Sequence, residues 1–331
     1  MASGPLAAGT ASANLDEMPA LAIAITGASG FVGSAAVQHF GRAGHRVVRL
    51  VRGGSGGAGT AAWDPATGEL DRPGLGTVDV VVHLAGENIA SKRWSAARKR
   101  AIADSRILVT ERLCRRLAAL DPKPRVLVSA SAVGIYADRG DELLDEASPP
   151  GTGFLAEVAR AWEEATRPAS DAGIRVVNLR IGVVLDPAGG ALRLMLLPFR
   201  LGLGGRLGHG RQWFSWISRE DLVRVIAFAV EHGPLAGPVL AVSPEPVTNS
   251  VFTKTLGRAL HRPTVLPVPA LALRLVFGGM ASELLASYRC RPTRLLAAGF
   301  SFTHAQLAAC LKAQLAAPHA APGAQGSAPS S

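Results

Sequence analysis

Thr26-Gly27-Ala28-Ser29-Gly30-Phe31-Val32-Gly33 is a glycine-rich turn that follows the apolar run Leu21–Thr26 and precedes a helix-compatible stretch at 35–43. When such a turn joins a first strand to a first helix, its first glycine permits a tight bend. The second glycine lets the backbone approach a pyrophosphate, and the third lets the helix pack closely against the strand. The turn therefore predicts a dinucleotide-binding site at the end of the first strand.

Further apolar runs follow this turn, and helix-compatible segments separate them. The strand-like runs are Leu21–Thr26, Arg46–Val51, Val78–Leu84, Arg125–Ser129 and Val176–Arg180. They are continuous rather than alternating, as expected of strands that helices cover on both faces. The pattern predicts an α/β fold: a Rossmann-type doubly wound parallel sheet with a smaller C-terminal α/β substrate lobe.

Composition along the chain suggests four regions. Residues 1–18 and 317–331 are rich in Ala, Gly, Pro and Ser and are expected to be disordered tails. Residues 19–180 are expected to form the nucleotide-binding domain. Residues 181–316 are expected to form the substrate lobe, with some elements returning to the sheet.

The residues after the second predicted strand bear on the choice of cofactor. Val51 and Arg52 stand where an acidic residue would accept hydrogen bonds from a ribose 2′-hydroxyl. A guanidinium there suits a 2′-phosphate, so NADP(H) is expected rather than NAD(H). A solvated arginine at a strand end is the alternative for Arg52.

The charge and cysteine content of the chain exclude several classes of protein. The 331 residues carry 35 Lys and Arg against 25 Asp and Glu, a formal charge of +10, but no dense Lys/Arg block that would predict nucleic-acid binding. Cys114, Cys290 and Cys310 lack metal-ligand spacing, so no metal site is expected. With no export signal or spanning segment in the sequence, we expect a cytoplasmic protein with no nucleic-acid or membrane partner.

A series of short motifs resembles the extended short-chain dehydrogenase/reductase superfamily, and within it the atypical, epimerase-like (SDR39U-type) branch. Besides the glycine-rich turn, the matching segments are His83–Asn88, Arg93-Trp94, Ser105-Arg106, Ser129–Tyr136, Trp162-Glu163, Leu179–Leu185, Pro198–Gly205, Trp216-Ile217 with Asp221, and Ala298–Phe300. The resemblance covers about residues 20–315.

Together the turn and the resemblance predict a set of cofactor-binding residues. The resemblance implies backbone contacts from the segment after the third strand-like run, an arginine on the next helix, and a valine near the nicotinamide. The predicted set is Gly27, Gly30, Phe31, Val32, Gly33, Val51, Arg52, Leu84, Ala85, Gly86, Arg106 and Val184. For Arg106 a structural ion pair is the alternative, and His83 is expected to be an interior histidine.

The usual proton relay of this superfamily is absent from the sequence. A Tyr-x-x-x-Lys motif is expected on the helix after the Ser-containing strand, but Phe154 and Val158 fill its two positions. Neither can exchange a proton. Ser131 and Tyr136 remain as candidate catalytic residues, with Glu87 or Glu157 as alternative proton carriers.

Two functions fit this combination. The first is an NADP(H)-binding, epimerase-like oxidoreductase that acts on an unidentified small molecule with a rearranged acid/base group. The second is a non-catalytic NADP(H)-binding redox sensor or scaffold, which would explain a retained cofactor loop beside a lost relay. The sequence does not decide between a monomer and a homodimer.

Overall fold

A central parallel sheet organises the fold in the computed structural model, which describes residues 19–54, 57–90 and 93–316. The tails expected at 1–18 and 317–331 lie outside the described residues. The strands are β1 (Ala22–Thr26), β2 (Arg46–Val51), β3 (Thr60–Ala62), β4 (Val80–His83), β5 (Val126–Ala132), β6 (Leu143–Leu144), β7 (Arg175–Ile181), β8 (Val183–Asp186), β9 (Trp213–Phe214), β10 (Trp216–Ser218), β11 (Gly237–Ala241), β12 (Val247–Thr248) and β13 (Arg289–Cys290).

Helices cover the sheet and build the second lobe. They are α1 (Phe31–Arg42), α2 (Arg72–Leu75), α3 (Ala96–Asp104), α4 (Ile107–Ala118), α5 (Phe154–Glu164), α6 (Arg167–Asp171), α7 (Gly190–Arg200), α8 (Arg219–Glu231), α9 (Asn249–Ala259), α10 (Ala270–Phe277), α11 (Ala281–Leu285), α12 (Thr293–Ala297) and α13 (Leu307–Ala316). Short 3-10 turns at Val133–Tyr136 and Gly278–Met280 complete the described elements.

The sheet has the strand order β11-β7-β5-β4-β1-β2-β3, and every neighbouring pair is parallel. This confirms the predicted doubly wound α/β fold. The register places Thr26 opposite His83 and His83 opposite Ser129, so the carboxyl ends of β1, β4 and β5 meet at one edge. Strand β11 comes from the second lobe and lies at the far side of the same sheet.

Both faces of the sheet are buried, which explains the continuous apolar runs. Ile23 and Ile25 of β1 pack with helix residues such as Phe40, while Ala24 faces the opposite cluster that contains Leu113. A strand covered on both sides has no polar face, so its sequence shows no alternation. The second lobe has a core of its own, around Trp216 and the inner face of α7.

No helix in the described part of the chain has the length and apolar character needed to cross a bilayer.

Candidate functional site: a dinucleotide crevice

The glycine-rich turn between β1 and α1 is closely packed. Gly27 has a φ of +66°, and a Cβ added there would lie 2.9 Å from the carbonyl carbon of Leu84. A Cβ on Gly33 would lie 2.1 Å from the carbonyl oxygen of Gly27. Helix α1 begins after Gly30 with no side-chain cap and no acid in its first turn. Its backbone N–H groups are therefore available to an anionic ligand.

A chain of uncharged groups, which we call the neutral cluster, lies beneath this turn: Thr26, His83, Thr110 and Trp162. Thr26 Oγ1 is 2.7 Å from His83 Nδ1, and Thr110 Oγ1 is 2.9 Å both from His83 Nε2 and from Trp162 Nε1. The cluster joins β1, β4, α4 and α5.

Hydrogen-bond matching assigns the protons of the neutral cluster. Thr26 Oγ1 accepts the N–H groups of Leu84 and Ala85, so its own hydrogen is left for His83 Nδ1. His83 then carries its proton on Nε2 and donates it to Thr110. Burial lowers the pKa of His83 to about 4, so the imidazole is neutral at physiological pH. This is the interior histidine expected at the end of the strand.

Arg52 follows β2 and is exposed. Among the described residues, no hydrogen bond or salt bridge engages its guanidinium. It lines an open cavity of about 870 Å³ together with Trp63, Asp64 and Arg116. The indole Nε1 of Trp63 is buried and has no partner within the described chain. The cavity therefore offers a free guanidinium.

Arg106 is held by backbone carbonyls. Its Nη2 donates to the oxygen of Glu87 at 3.0 Å and its Nη1 to that of Ile102 at 3.2 Å, and the guanidinium lies over the ring of Trp162. Burial lowers its pKa to about 10, which leaves it cationic at neutral pH. Arg106 thus shapes the segment that contains Leu84, Ala85 and Gly86, and direct contact with a cofactor stays a prediction.

A second buried group lies where β5 and β7 end, on the side of the dinucleotide crevice away from the glycine-rich turn. We call it the charged cluster; its members are Ser131, Tyr136, Glu163 and Arg180. Arg180 Nε and Nη2 donate to the two oxygens of Glu163 at 2.8 and 2.9 Å. Ser131 Oγ donates to Glu163 Oε1 at 2.7 Å. Burial lowers the pKa of Arg180, but its hydrogen bonds to Glu163 and the charge of Glu163 outweigh burial and raise it overall.

The two candidate catalytic residues both belong to the charged cluster. Ser131 is only 3% exposed. Tyr136 is completely buried; its hydroxyl donates to the carbonyl of Asp145 at 2.7 Å and accepts from Arg180 Nη1 at 2.8 Å. Burial raises the pKa of Tyr136, although Arg180 opposes the shift. This geometry favours a structural role for the phenol.

The position of the absent relay is packed with other side chains. Phe154 begins α5, and Val158 is buried one turn later. The ring of Trp94 meets that of Phe154 edge to face at 5.4 Å. The ammonium of Lys99, on α3, lies 5.0 Å from the centre of the Phe154 ring. A cation is therefore present beside the relay position, supplied by a helix distant in sequence.

Sequence reasoning missed both Lys99 and Glu163 as members of this region. Lys99 is one of five lysines, and its helix carries the basic run Arg98-Lys99-Arg100 just after Trp94, which is the signal that would have marked it. Glu163 stood within a recognised motif but had no assigned partner. Of the alternative proton carriers, Glu87 pairs with Arg98 at 2.9 Å, at the exposed side of the crevice.

Comparisons with known proteins agree with this architecture. Residues 23–239 match the model of the NAD dependent epimerase/dehydratase family, and residues 268–314 match a domain of unknown function, DUF1731. The chain is 48% identical over 283 residues to the epimerase family protein Mb2239 of Mycobacterium bovis, covering 85% of this chain and 93% of that protein.

A human relative extends the comparison to three dimensions. Human epimerase family protein SDR39U1 is 36% identical over 294 residues, which cover 88% of this chain and 98% of the relative. The crystal structure of its isoform 2 with NADPH superposes with a TM-score of 0.82 at 34% identity, covering 89% of this chain and 99% of that one. The chain is therefore an atypical extended short-chain dehydrogenase/reductase and belongs to the NAD dependent epimerase/dehydratase family.

Proposed function

We propose that this protein is an NADP(H)-dependent oxidoreductase that acts on the carbonyl or hydroxyl group of a small molecule. The observation that carries the proposal is the fit of the crevice to a phosphorylated dinucleotide. The turn at Gly27 and Gly33 has no room for side chains, and Arg52 presents an unpaired guanidinium at the end of β2. The human relative SDR39U1 has been crystallised with NADPH, which supports the same choice.

Arg52 is the residue proposed to select the phosphorylated cofactor. A guanidinium forms charge-assisted hydrogen bonds with phosphate, and the ribose hydroxyl of NADH offers no such partner. Arg52→Gln should weaken NADPH binding about tenfold to a hundredfold, as expected for the loss of such bonds, and leave NADH binding nearly unchanged. Titration calorimetry measures both constants. Tighter binding of NADH than of NADPH by the parent protein would contradict the assignment.

When bound, NADPH supplies a hydride, and the protein must then provide a proton to the reduced oxygen. We propose Lys99 as the proton donor because its ammonium lies beside Phe154, at the position of the absent relay. Ser131 is proposed to orient the substrate through its free lone pairs, since its hydrogen is donated to Glu163. Tyr136 is proposed to position Arg180, which in turn holds Glu163.

Turnover of a panel of carbonyl compounds, followed by the loss of NADPH absorbance, tests this chemistry. Lys99→Met keeps an apolar stem over Phe154 but removes the proton, so kcat should fall about a hundredfold while NADPH affinity is retained. Arg100→Met, the neighbouring charge on the same helix, is the matched control and should retain activity. Equal activity of both variants would exclude Lys99 as the donor.

A non-catalytic NADP(H) sensor is the second candidate. The packing of Phe154 and Val158 at the relay positions and the engagement of Tyr136 by Arg180 favour it. Tight NADPH binding without turnover across the panel would support the sensor. Turnover that depends on Lys99 or Ser131 would exclude it.

A further inference from the structure

The positive charge of the chain is concentrated in two segments of the second lobe. Residues 187–218 and 246–282 contain eight Lys and Arg and no Asp or Glu. All 25 acidic residues lie elsewhere, where 27 of the 35 Lys and Arg nearly balance them. We call the surface of these two segments the acid-free face. Most of the net charge of +10 therefore belongs to this one part of the molecule.

The fold brings the two segments side by side. Val268 N–H donates to the carbonyl of Arg206 at 2.8 Å, and Gly208 N–H donates to the carbonyl of Val268 at 2.9 Å. Arg262 Nε donates to the carbonyl of Arg200 at 2.7 Å. Helix α7 leads into this contact and α10 leads out of it. The loop that follows α7 and the loop that precedes α10 are therefore in direct contact.

Large apolar side chains are also exposed on the acid-free face. Ten of the thirteen large hydrophobic residues that are exposed in the described chain lie in the two segments. On α7 and the residue after it, Leu194, Leu197 and Leu201 follow helical spacing and are 65–70% exposed. Leu271 and Leu275 of α10 are each 67% exposed, one turn apart. Clustered exposure of this kind marks an interaction surface.

The cations and the exposed leucines of the acid-free face together favour one kind of partner. A second copy docked through the same face would bring the cations of both copies together, and the two segments themselves supply no carboxylate to pair them. Nucleic acid would satisfy the cations but gains little from exposed leucines. The surface of an anionic bilayer offers phosphates for the Lys and Arg side chains and an apolar boundary for the leucines.

We propose that the acid-free face binds the surface of an anionic phospholipid bilayer, with leucines of α7 and α10 inserted between headgroups. This differs from the absence of a membrane partner expected from the sequence. Surface binding needs no spanning helix, and it is independent of the proposed oxidoreductase activity.

Vesicle sedimentation with the full chain tests the proposal. The protein should bind vesicles of phosphatidylcholine mixed equally with phosphatidylglycerol, should release as salt is added, and should not bind phosphatidylcholine alone. Two double variants should each bind the mixed vesicles at least about tenfold more weakly than the parent: Leu197→Gln/Leu275→Gln and Arg193→Gln/Arg274→Gln. All variants should retain their NADPH affinity.

Matched controls lie outside the face. Leu143→Gln removes a leucine that is 51% exposed and Arg160→Gln an exposed arginine, and both variants should bind the mixed vesicles like the parent. Failure of the parent to bind the mixed vesicles, equal binding to phosphatidylcholine alone, or equal losses in the controls would overturn the proposal. So would a homodimer, seen by analytical ultracentrifugation, that Leu197→Gln/Leu275→Gln converts to monomer.

Discussion

The neutral cluster and the charged cluster lie on neighbouring strands of the same sheet edge, and α5 contributes one member to each. Trp162 joins the uncharged chain through Thr110, while the next residue, Glu163, joins Arg180. The neutral cluster supports the glycine-rich turn without placing an ion beneath it. The charged cluster ties β5, β7 and the 3-10 turn at Val133–Tyr136 together through one buried ion pair.

This difference explains why the two ends of the crevice gave such different predictions. At the turn, cofactor binding depends on backbone groups and on the absence of side chains, and glycines in the sequence indicate both. At the relay end, function depends on side chains, and Ser131 and Tyr136 are already engaged by Glu163 and Arg180. Cofactor binding at the turn therefore does not depend on whether the relay end exchanges a proton.

The largest effect is expected from breaking the buried ion pair. Glu163→Leu leaves Arg180 buried without its partner and should lower the free energy of unfolding by about 3–5 kcal/mol. Urea unfolding at a constant m-value measures the change. The double variant Glu163→Leu/Arg180→Met should recover much of the loss, because no lone charge remains.

A surface ion pair between the end of α5 and the start of α6 provides the control for that measurement. Glu164 and Arg167 lie 3.1 Å apart, and both side chains are more than 60% exposed. Glu164→Gln should change the free energy of unfolding by less than about 1 kcal/mol. If Glu163→Leu lowered the free energy of unfolding by as little as Glu164→Gln, the charged cluster would contribute no more to stability than a solvated ion pair.

An intermediate effect is expected in the neutral cluster. Thr110→Val keeps the side-chain shape but leaves the N–H groups of His83 and Trp162 without an acceptor. Each unpaired buried donor costs on the order of 1 kcal/mol or more, so the free energy of unfolding should fall by about 2 kcal/mol. Thr110→Ser keeps the oxygen and should lose less than half as much, whereas equal losses would point to packing rather than hydrogen bonding.

Sequence patterns predicted the elements of the sheet more completely than the contents of the site. The run Leu21–Thr26 was located to within one residue of β1, because a strand buried on both faces has a continuous apolar run. Lys99 was missed because the fold brings it to Phe154, which lies some fifty residues later in the chain. The acid-free face was missed because the exposure of its leucines depends on tertiary packing. Pro267 and Pro269 precede α10, and the exposed apolar side chains continue beyond them at Leu271 and Leu275.

The smallest effect separates the clusters by their response to acid. Burial lowers the pKa of His83 to about 4 in the folded protein, against about 6.5 when unfolded. Below pH 6.5 the unfolded chain therefore binds a proton that the folded chain does not, and stability falls by about 1.4 kcal/mol per pH unit until pH reaches about 4. His83→Gln should remove this contribution between pH 6.5 and 5.5, whereas His261→Gln, at an exposed histidine, should retain it. Unfolding curves at both pH values measure the difference, and an unchanged slope in His83→Gln would mean that His83 is not held neutral by the neutral cluster.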